Sequence, residues 1–133
     1  MKPPPHPLDL LVVAAGGAAG ALLRWALGLG VPDAGSLPTA TLLVNVVGAF
    51  CLGALPTLAV VRRSHRAAIA LGPGLLGGFT TVSAWAGETR GLMADGRVGL
   101  AFVYVVLTVG VGLAAAAAGR RLSHQPEPED AVT

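Results

Sequence analysis

Apolar residues fill four long stretches of the chain, and most charged residues lie in the gaps between them. The stretches cover about residues 10–31, 39–61, 67–93 and 98–119. Each is close to the roughly 20 residues with which an α-helix crosses the hydrocarbon core of a bilayer. The pattern predicts an all-α, polytopic membrane protein with four transmembrane helices, in contact with lipid and inserted in the cell (inner or plasma) membrane.

Two short segments flank this apolar region. Residues 1–9 include MKPPPHP and residues 120–133 include SHQPEPEDAVT, which are rich in proline or charge. Segments of this composition bury too little apolar surface to fold, so both are predicted to be disordered tails. Residues 10–119 form one predicted membrane domain, with no soluble part large enough for an enzyme. The motifs of serine hydrolases, zinc proteases and phosphate-binding loops are also missing from the sequence, so we expect no enzymatic activity.

The amino-acid composition further narrows the class of protein to which this chain can belong. Hydrophobic residues make up 53% of the chain and charged residues 12%, which is too little charge to cover a soluble domain. The formal net charge of +2 is too small and too scattered for nucleic-acid binding. Cys51 is the single cysteine, which excludes an internal disulfide framework and a thiolate metal site. Three histidines are predicted to be solvated residues of tails or loops rather than metal ligands: His6, His65 and His124.

The third apolar stretch contains the segment LGPGLLGGFTTVSAWAGE, residues 71–88, which is unusually polar for a membrane helix. Pro73 removes one helical hydrogen bond, and Gly77 and Gly78 weaken the next turn. Lipid cannot satisfy backbone groups exposed by a break, so a break is tolerated only where protein or a water-filled path covers it. We therefore predict a broken third helix, with an ion or polar-solute site at the sequence GGFTT.

Polar residues also occur within the other apolar stretches, where each is costly and is a functional candidate. Arg24 lies in the first stretch and is either a functional residue or an anchor at the membrane interface. Asn45 shares a helical face with Thr41 and Gly48, and either binds a solute or bonds to a neighbouring helix. In the fourth stretch Tyr104 and Thr108 lie four residues apart on one face, though such hydroxyls can also bond local carbonyls.

Small residues are frequent in the stretches, and Gly16 and Gly20 have the GxxxG spacing. In lipid, packing rather than hydrophobicity drives helix association, and small residues let two backbones approach closely. For most of these glycines we therefore expect a role in helix packing.

Three motifs in this order, GGAAGALLRW, TLLVNVVGAF and GLLGGFTTVSAWAGE, resemble the CrcB/Fluc family of fluoride channels. The resemblance covers nearly all of the apolar chain. It implies a small four-helix subunit that pairs as an antiparallel dimer, exports fluoride passively and confers fluoride resistance. It also implies a structural sodium ion (Na⁺) at the dimer centre, held by the backbone carbonyls of Gly77 and Thr80. The fluoride pore residues that it implies are Arg24, Asn45, Val82, Ser83, Trp85, Tyr104 and Thr108.

The chain departs from the family pattern at two of these positions. The family usually reads FTTFSTF, with two phenylalanine rings whose electropositive edges meet fluoride. Here the corresponding residues are Val82, which has no ring, and Trp85, which has a bulkier ring with an indole N–H. One pore contribution of this subunit is therefore expected to be weakened.

Two other classes of membrane protein are compatible with four short helices. A small multidrug-type exporter needs a carboxylate in the first span, but that span contains Arg24 instead. A non-conducting partner subunit of a fluoride channel, or an assembly protein, explains the glycines but not the aligned polar residues. Fluoride efflux from liposomes separates these alternatives.

Basic residues are distributed unequally between the two sides of the predicted membrane. One side carries six, namely Lys2, Arg62, Arg63, Arg66, Arg120 and Arg121, and the other carries Arg90 and Arg97. Basic loops remain cytoplasmic, so both termini are predicted to lie inside the cell. An antiparallel homodimer needs a dual-topology chain, which inserts both ways and has nearly balanced loops. The six-to-two bias therefore favours pairing with a homologous second subunit of opposite orientation over a dual-topology homodimer.

Overall fold

The computed structural model describes residues 5–34 and 37–123, and this part of the chain is almost entirely helical. Helix α1 covers Pro7–Gly30, and helix α2 covers Thr39–Ala54. After a 3₁₀ turn at Leu55–Thr57, two short helices follow: α3, Ala59–Arg63, and α4, His65–Ile69. The chain continues as a π-helical segment, Ala70–Leu76, and then as helices α5, Gly77–Phe79, α6, Val82–Ala94, and α7, Val98–Ser123.

Four helical spans within the described residues are long and apolar enough to cross a membrane. They are Pro7–Gly30, Thr39–Thr57, His65–Ala94 and Val98–Ser123. The predicted all-α architecture with four spans is therefore confirmed.

The outer ends of the first and last helices extend further than the sequence predicted. Residues 7–9 and 120–123 were assigned to tails, but they are helical. At the first end, the His6 side chain accepts a hydrogen bond from the Leu8 amide at 3.2 Å, and Pro7 occupies the first helical turn. Both features favour a helix start at this point. Residues 1–4 and 124–133, including His124, lie outside the described residues.

The helices pack in two main pairs, with α1 against the segment 70–79 and α2 against α7. Close backbone contact explains the glycines of the first pair. A Cβ atom on Gly20 would lie 2.7 Å from the Phe79 amide nitrogen, and one on Gly78 would lie 2.9 Å from the Gly17 Cα. The packing role expected for the GxxxG spacing is thus confirmed. Gly110 and Gly112 differ, because a Cβ atom on either would meet no atom of the described chain within 4 Å.

Little of the chain is buried, and the core is correspondingly small. The buried hydrophobic residues of the described part are Val44, Leu76, Phe79, Leu92, Ala101 and Tyr104. Large apolar side chains instead cover the outside, for example Trp25, Phe102 and Leu113, which are 64%, 69% and 68% exposed. Such an apolar exterior suits a protein whose surroundings are lipid or another membrane subunit.

Candidate functional site

The backbone leaves helical geometry at Thr80 and Thr81. Thr80 has a ψ of 157°, and Thr81 has φ and ψ of −148° and 118°, which are extended values. The sequence predicted that the third helix is broken by Pro73 and by the Gly77–Gly78 pair. Pro73 instead lies inside the π-helical segment, whose wider turns accommodate a residue without an N–H. The α5 helix then runs through both glycines before the interruption.

The Asn45 side chain hydrogen-bonds to the interrupted backbone both as a donor and as an acceptor. Its Nδ2 donates to the Thr81 carbonyl at 3.0 Å, and its Oδ1 accepts from the Thr81 amide at 2.8 Å. The Asn45 Oδ1 thus replaces the helical acceptor that the Thr81 amide has lost, while its Nδ2 adds a donor to the Thr81 carbonyl. This is the interhelical hydrogen bond considered in the sequence analysis, and it leaves one of the two Nδ2 hydrogens of Asn45 for another acceptor.

Two carbonyl groups lose their usual donors at the same point. In a continuous α-helix the Thr81 amide would donate to the Gly77 carbonyl, and the Ala84 amide would donate to the Thr80 carbonyl. Here the Thr81 amide donates to Asn45, and the Ala84 amide donates to the Thr81 Oγ1 at 3.1 Å. The carbonyls of Gly77 and Thr80 are therefore open to other partners, and both residues line one groove of about 330 Å³.

A second groove, of about 320 Å³, lies between α2, α6 and α7. Its lining is apolar except for a few polar side chains, and it consists of Asn45, Ala49, Val82, Trp85, Thr108, Val109, Gly112, Leu113 and Ala116. We call it the Asn45 groove. Asn45 lines both this groove and the one at Gly77, so its side chain lies between them.

A carboxylate joins three helices beside this groove. Glu88 accepts hydrogen bonds from the Thr41 hydroxyl at 2.7 Å and from the Tyr104 hydroxyl at 2.6 Å. The sequence analysis gave Glu88 no role. A carboxylate within an apolar span was the available signal, because ionisable groups there are rare and require partners. Its two partners lie on different helices, which sequence alone does not bring together.

The predicted pore residues divide into two groups. Asn45, Val82, Trp85 and Thr108 line the Asn45 groove. The other three do not line it. Arg24 is half-buried on α1, Ser83 is exposed, and Tyr104 is fully buried. The Thr108 hydroxyl donates to the Tyr104 carbonyl at 2.8 Å, which is the local bond that membrane threonines commonly form.

The sequence matches one family model over residues 11–120, described as CrcB-like protein, Camphor Resistance (CrcB). Several curated relatives share about two fifths of their residues with it over nearly their whole length. Fluoride-specific ion channel FluC 2 of Rhodococcus jostii is 43% identical over 116 residues, which cover 87% of this chain and 99% of the relative.

Two further relatives agree with this match. Fluoride-specific ion channel FluC of Deinococcus radiodurans is 43% identical over 118 residues, which cover 84% of this chain and 92% of the relative. FluC 1 of Mycobacterium tuberculosis is 44% identical over 111 residues, which cover 80% and 83% of the two chains. The resemblance seen in the three sequence motifs is confirmed. With its four spans and this match along nearly all of the apolar chain, the protein belongs to the CrcB family of multi-pass membrane proteins.

Proposed function

We propose that this chain is a subunit of a fluoride-specific ion channel that lowers cytoplasmic fluoride by passive export, and that it is not an enzyme. The observation that supports the proposal is the Asn45 groove, an apolar groove with an amide side chain in its wall. A small anion that enters an apolar path must exchange its water for hydrogen-bond donors. The family membership and the relatives' name point to fluoride as that anion.

Flux through the purified channel, which consists of this chain together with any homologous partner subunit it requires, tests this function. Liposomes are loaded with potassium fluoride, the potassium permeability is set with valinomycin, and external fluoride is followed with an electrode. Fluoride release that depends on the protein, together with negligible chloride release, is the expected result. Release of neither anion, or equal release of both, contradicts a fluoride-specific channel.

A structural Na⁺ at the carbonyls of Gly77 and Thr80 forms the second part of the proposal. A hard cation prefers oxygen ligands, and these two carbonyls have lost their helical donors. Gly77 is exposed on the subunit, so a second copy of the same segment could supply further oxygens. The donor set therefore fits the ion, which would stabilise the contact between two subunits rather than take part in conduction.

The dimer partner is the third part, and the charge distribution argues for a second, homologous chain. Two contacts support a common location of the basic segments at one end of the bundle. Arg66 bonds to Asp9 near the start of α1 at 3.3 Å, and Ser123 at the end of α7 donates to the Gly53 carbonyl at 3.5 Å. The positive-inside rule then favours one orientation, so an antiparallel dimer would need a partner with the opposite charge bias.

Topology mapping tests the partner. We expect that tags on both termini of this chain, expressed alone, are protected from reagents added outside the cell, because six basic residues lie on the same side of the predicted membrane as the termini. Neutralising Arg62, Arg63 and Arg66 together should produce a mixed orientation. The opposite result would be termini of the unmodified chain exposed equally on both sides of the membrane, together with fluoride flux from this chain alone. That result would establish a dual-topology homodimer.

Val82 gives a further prediction about the pore. Its side chain is 75% exposed and lines the Asn45 groove, so an added ring displaces no core residue. Val82→Phe should raise fluoride flux several-fold, because it adds the electropositive ring edge that the family has at this position. Val106→Phe is the control: Val106 is 50% exposed on α7 and lies outside the lining, so its flux should not change. Equal changes in fluoride flux for the two variants would show that Val82 does not line the pore.

A further inference from the structure

Most hydrogen-bond donors near the Asn45 groove already have acceptors within the chain. The hydroxyls of Thr41 and Tyr104 both donate to Glu88. The Thr108 hydroxyl donates to a backbone carbonyl, although Thr108 lines the groove. An anion in the groove therefore finds few of the donors that the sequence predicted for it.

The indole N–H of Trp85 is the exception. Among the described residues, its Nε1 is the one buried side-chain nitrogen or oxygen without a hydrogen-bond partner. A buried N–H without an acceptor costs free energy, and buried polar groups in proteins nearly always have a partner. The described chain therefore supplies no acceptor for the Trp85 N–H in this conformation.

The position of the ring indicates what that partner is. Trp85 packs against the cluster of Leu92, Ala101 and Tyr104 on one side and lines the Asn45 groove on the other. Across the same groove, Asn45 retains one unused N–H. A ligand that bridges the two groups must accept hydrogen bonds from both once the indole N–H faces the groove, and a small anion gains most from two such donors in an apolar lining.

We propose that Trp85 turns its indole N–H into the Asn45 groove when fluoride occupies it, and donates a hydrogen bond to the ion. This inference rests on the proposed function and deepens it. The subunit would then recognise fluoride at this position with an N–H donor, which a phenylalanine ring cannot provide. A hydrogen bond to a charged group is stronger than a neutral one, so fluoride should bind more tightly here than with phenylalanine at position 85.

The chain offers a direct spectroscopic test, because Trp25 and Trp85 are its two tryptophans. Trp25 is 64% exposed on α1 and lies outside the groove. In Trp25→Phe, all indole fluorescence comes from Trp85. Titration of this variant with sodium fluoride should change the emission saturably, whereas sodium chloride or gluconate at the same ionic strength should not. In Trp85→Phe, the remaining Trp25 emission should not respond to fluoride.

Affinity provides the second measurement. Half-saturation of fluoride flux in Trp85→Phe should require about tenfold to hundredfold more fluoride than in Trp25→Phe, the range expected for one hydrogen bond to a charged group. Substitution of 3-benzothienylalanine at position 85 replaces the N–H with sulfur and keeps the ring shape. It should show the same weakening, and it remains informative if Trp85→Phe does not fold.

The outcomes separate this inference from the proposed function. If Trp25→Phe conducts fluoride but its emission does not respond, and removal of the N–H leaves half-saturation unchanged, the indole N–H bonds to something other than the anion. The inference is then wrong while the channel function stands. If Trp25→Phe and the unmodified protein release no fluoride, the channel function fails, and a fluoride-specific emission change would still establish the binding site.

Discussion

Asn45→Asp is expected to reduce fluoride flux by at least about a hundredfold. The carboxylate would place a negative charge beside the groove, and two unit charges 4 Å apart repel by about 4 kcal/mol at an effective dielectric constant of about 20. The substitution also removes the Nδ2 that donates to the Thr81 carbonyl at 3.0 Å. Electrode recordings from liposomes measure the effect, with gel filtration of the same sample to show that the variant is folded.

A carboxylate on the same helix but away from the groove is the matched control. Thr39 begins α2 and its hydroxyl donates to the Pro32 carbonyl at 2.7 Å. Thr39→Asp places the negative charge at a helix N-terminus, where it is tolerated, and should keep most of the flux. Flux like that of the unmodified protein in a folded Asn45→Asp sample would show that fluoride does not pass Asn45.

Gly78→Ala is expected to destabilise the subunit strongly, whereas Gly77→Ala is expected to leave its fold intact. A Cβ on Gly78 would lie 2.9 Å from the Cα and carbonyl carbon of Gly17, so the α1 backbone would have to move. A Cβ on Gly77 would meet no atom nearer than 4.0 Å. Overpacking of this kind typically costs about 1–3 kcal/mol, and the backbone contact places Gly78 at the upper end of that range.

Thermal unfolding in detergent, followed by circular dichroism, compares the two variants under identical conditions. The midpoint should fall clearly for Gly78→Ala and stay close to that of the unmodified protein for Gly77→Ala. Similar midpoints for both variants would mean that α1 does not pack against the third span at Gly78. A loss of sodium response in a folded Gly77→Ala sample would report on the proposed carbonyl site alone.

The sequence by itself determined the four spans, because the length of an apolar stretch needed to cross a bilayer is a local property of the chain. It also identified the family, since GGAAGALLRW, TLLVNVVGAF and the GGFTT segment are recognisable without knowledge of their contacts. The packing of the first helix was predictable for the same reason. The GxxxG spacing places Gly16 and Gly20 on one face whatever that face contacts.

Only the tertiary structure decided which polar groups are free. Asn45 bonds to Thr81, and Glu88 accepts hydrogen bonds from the hydroxyls of Thr41 and Tyr104. Both arrangements depend on how α2, α6 and α7 are rotated and shifted relative to one another. Hydrogen bonds require groups about 3 Å apart, so a small rotation of one helix would exchange their partners. For this physical reason the sequence could name the polar residues of the spans but could not show that, among the residues described, Trp85 has the one buried side-chain N–H without a partner.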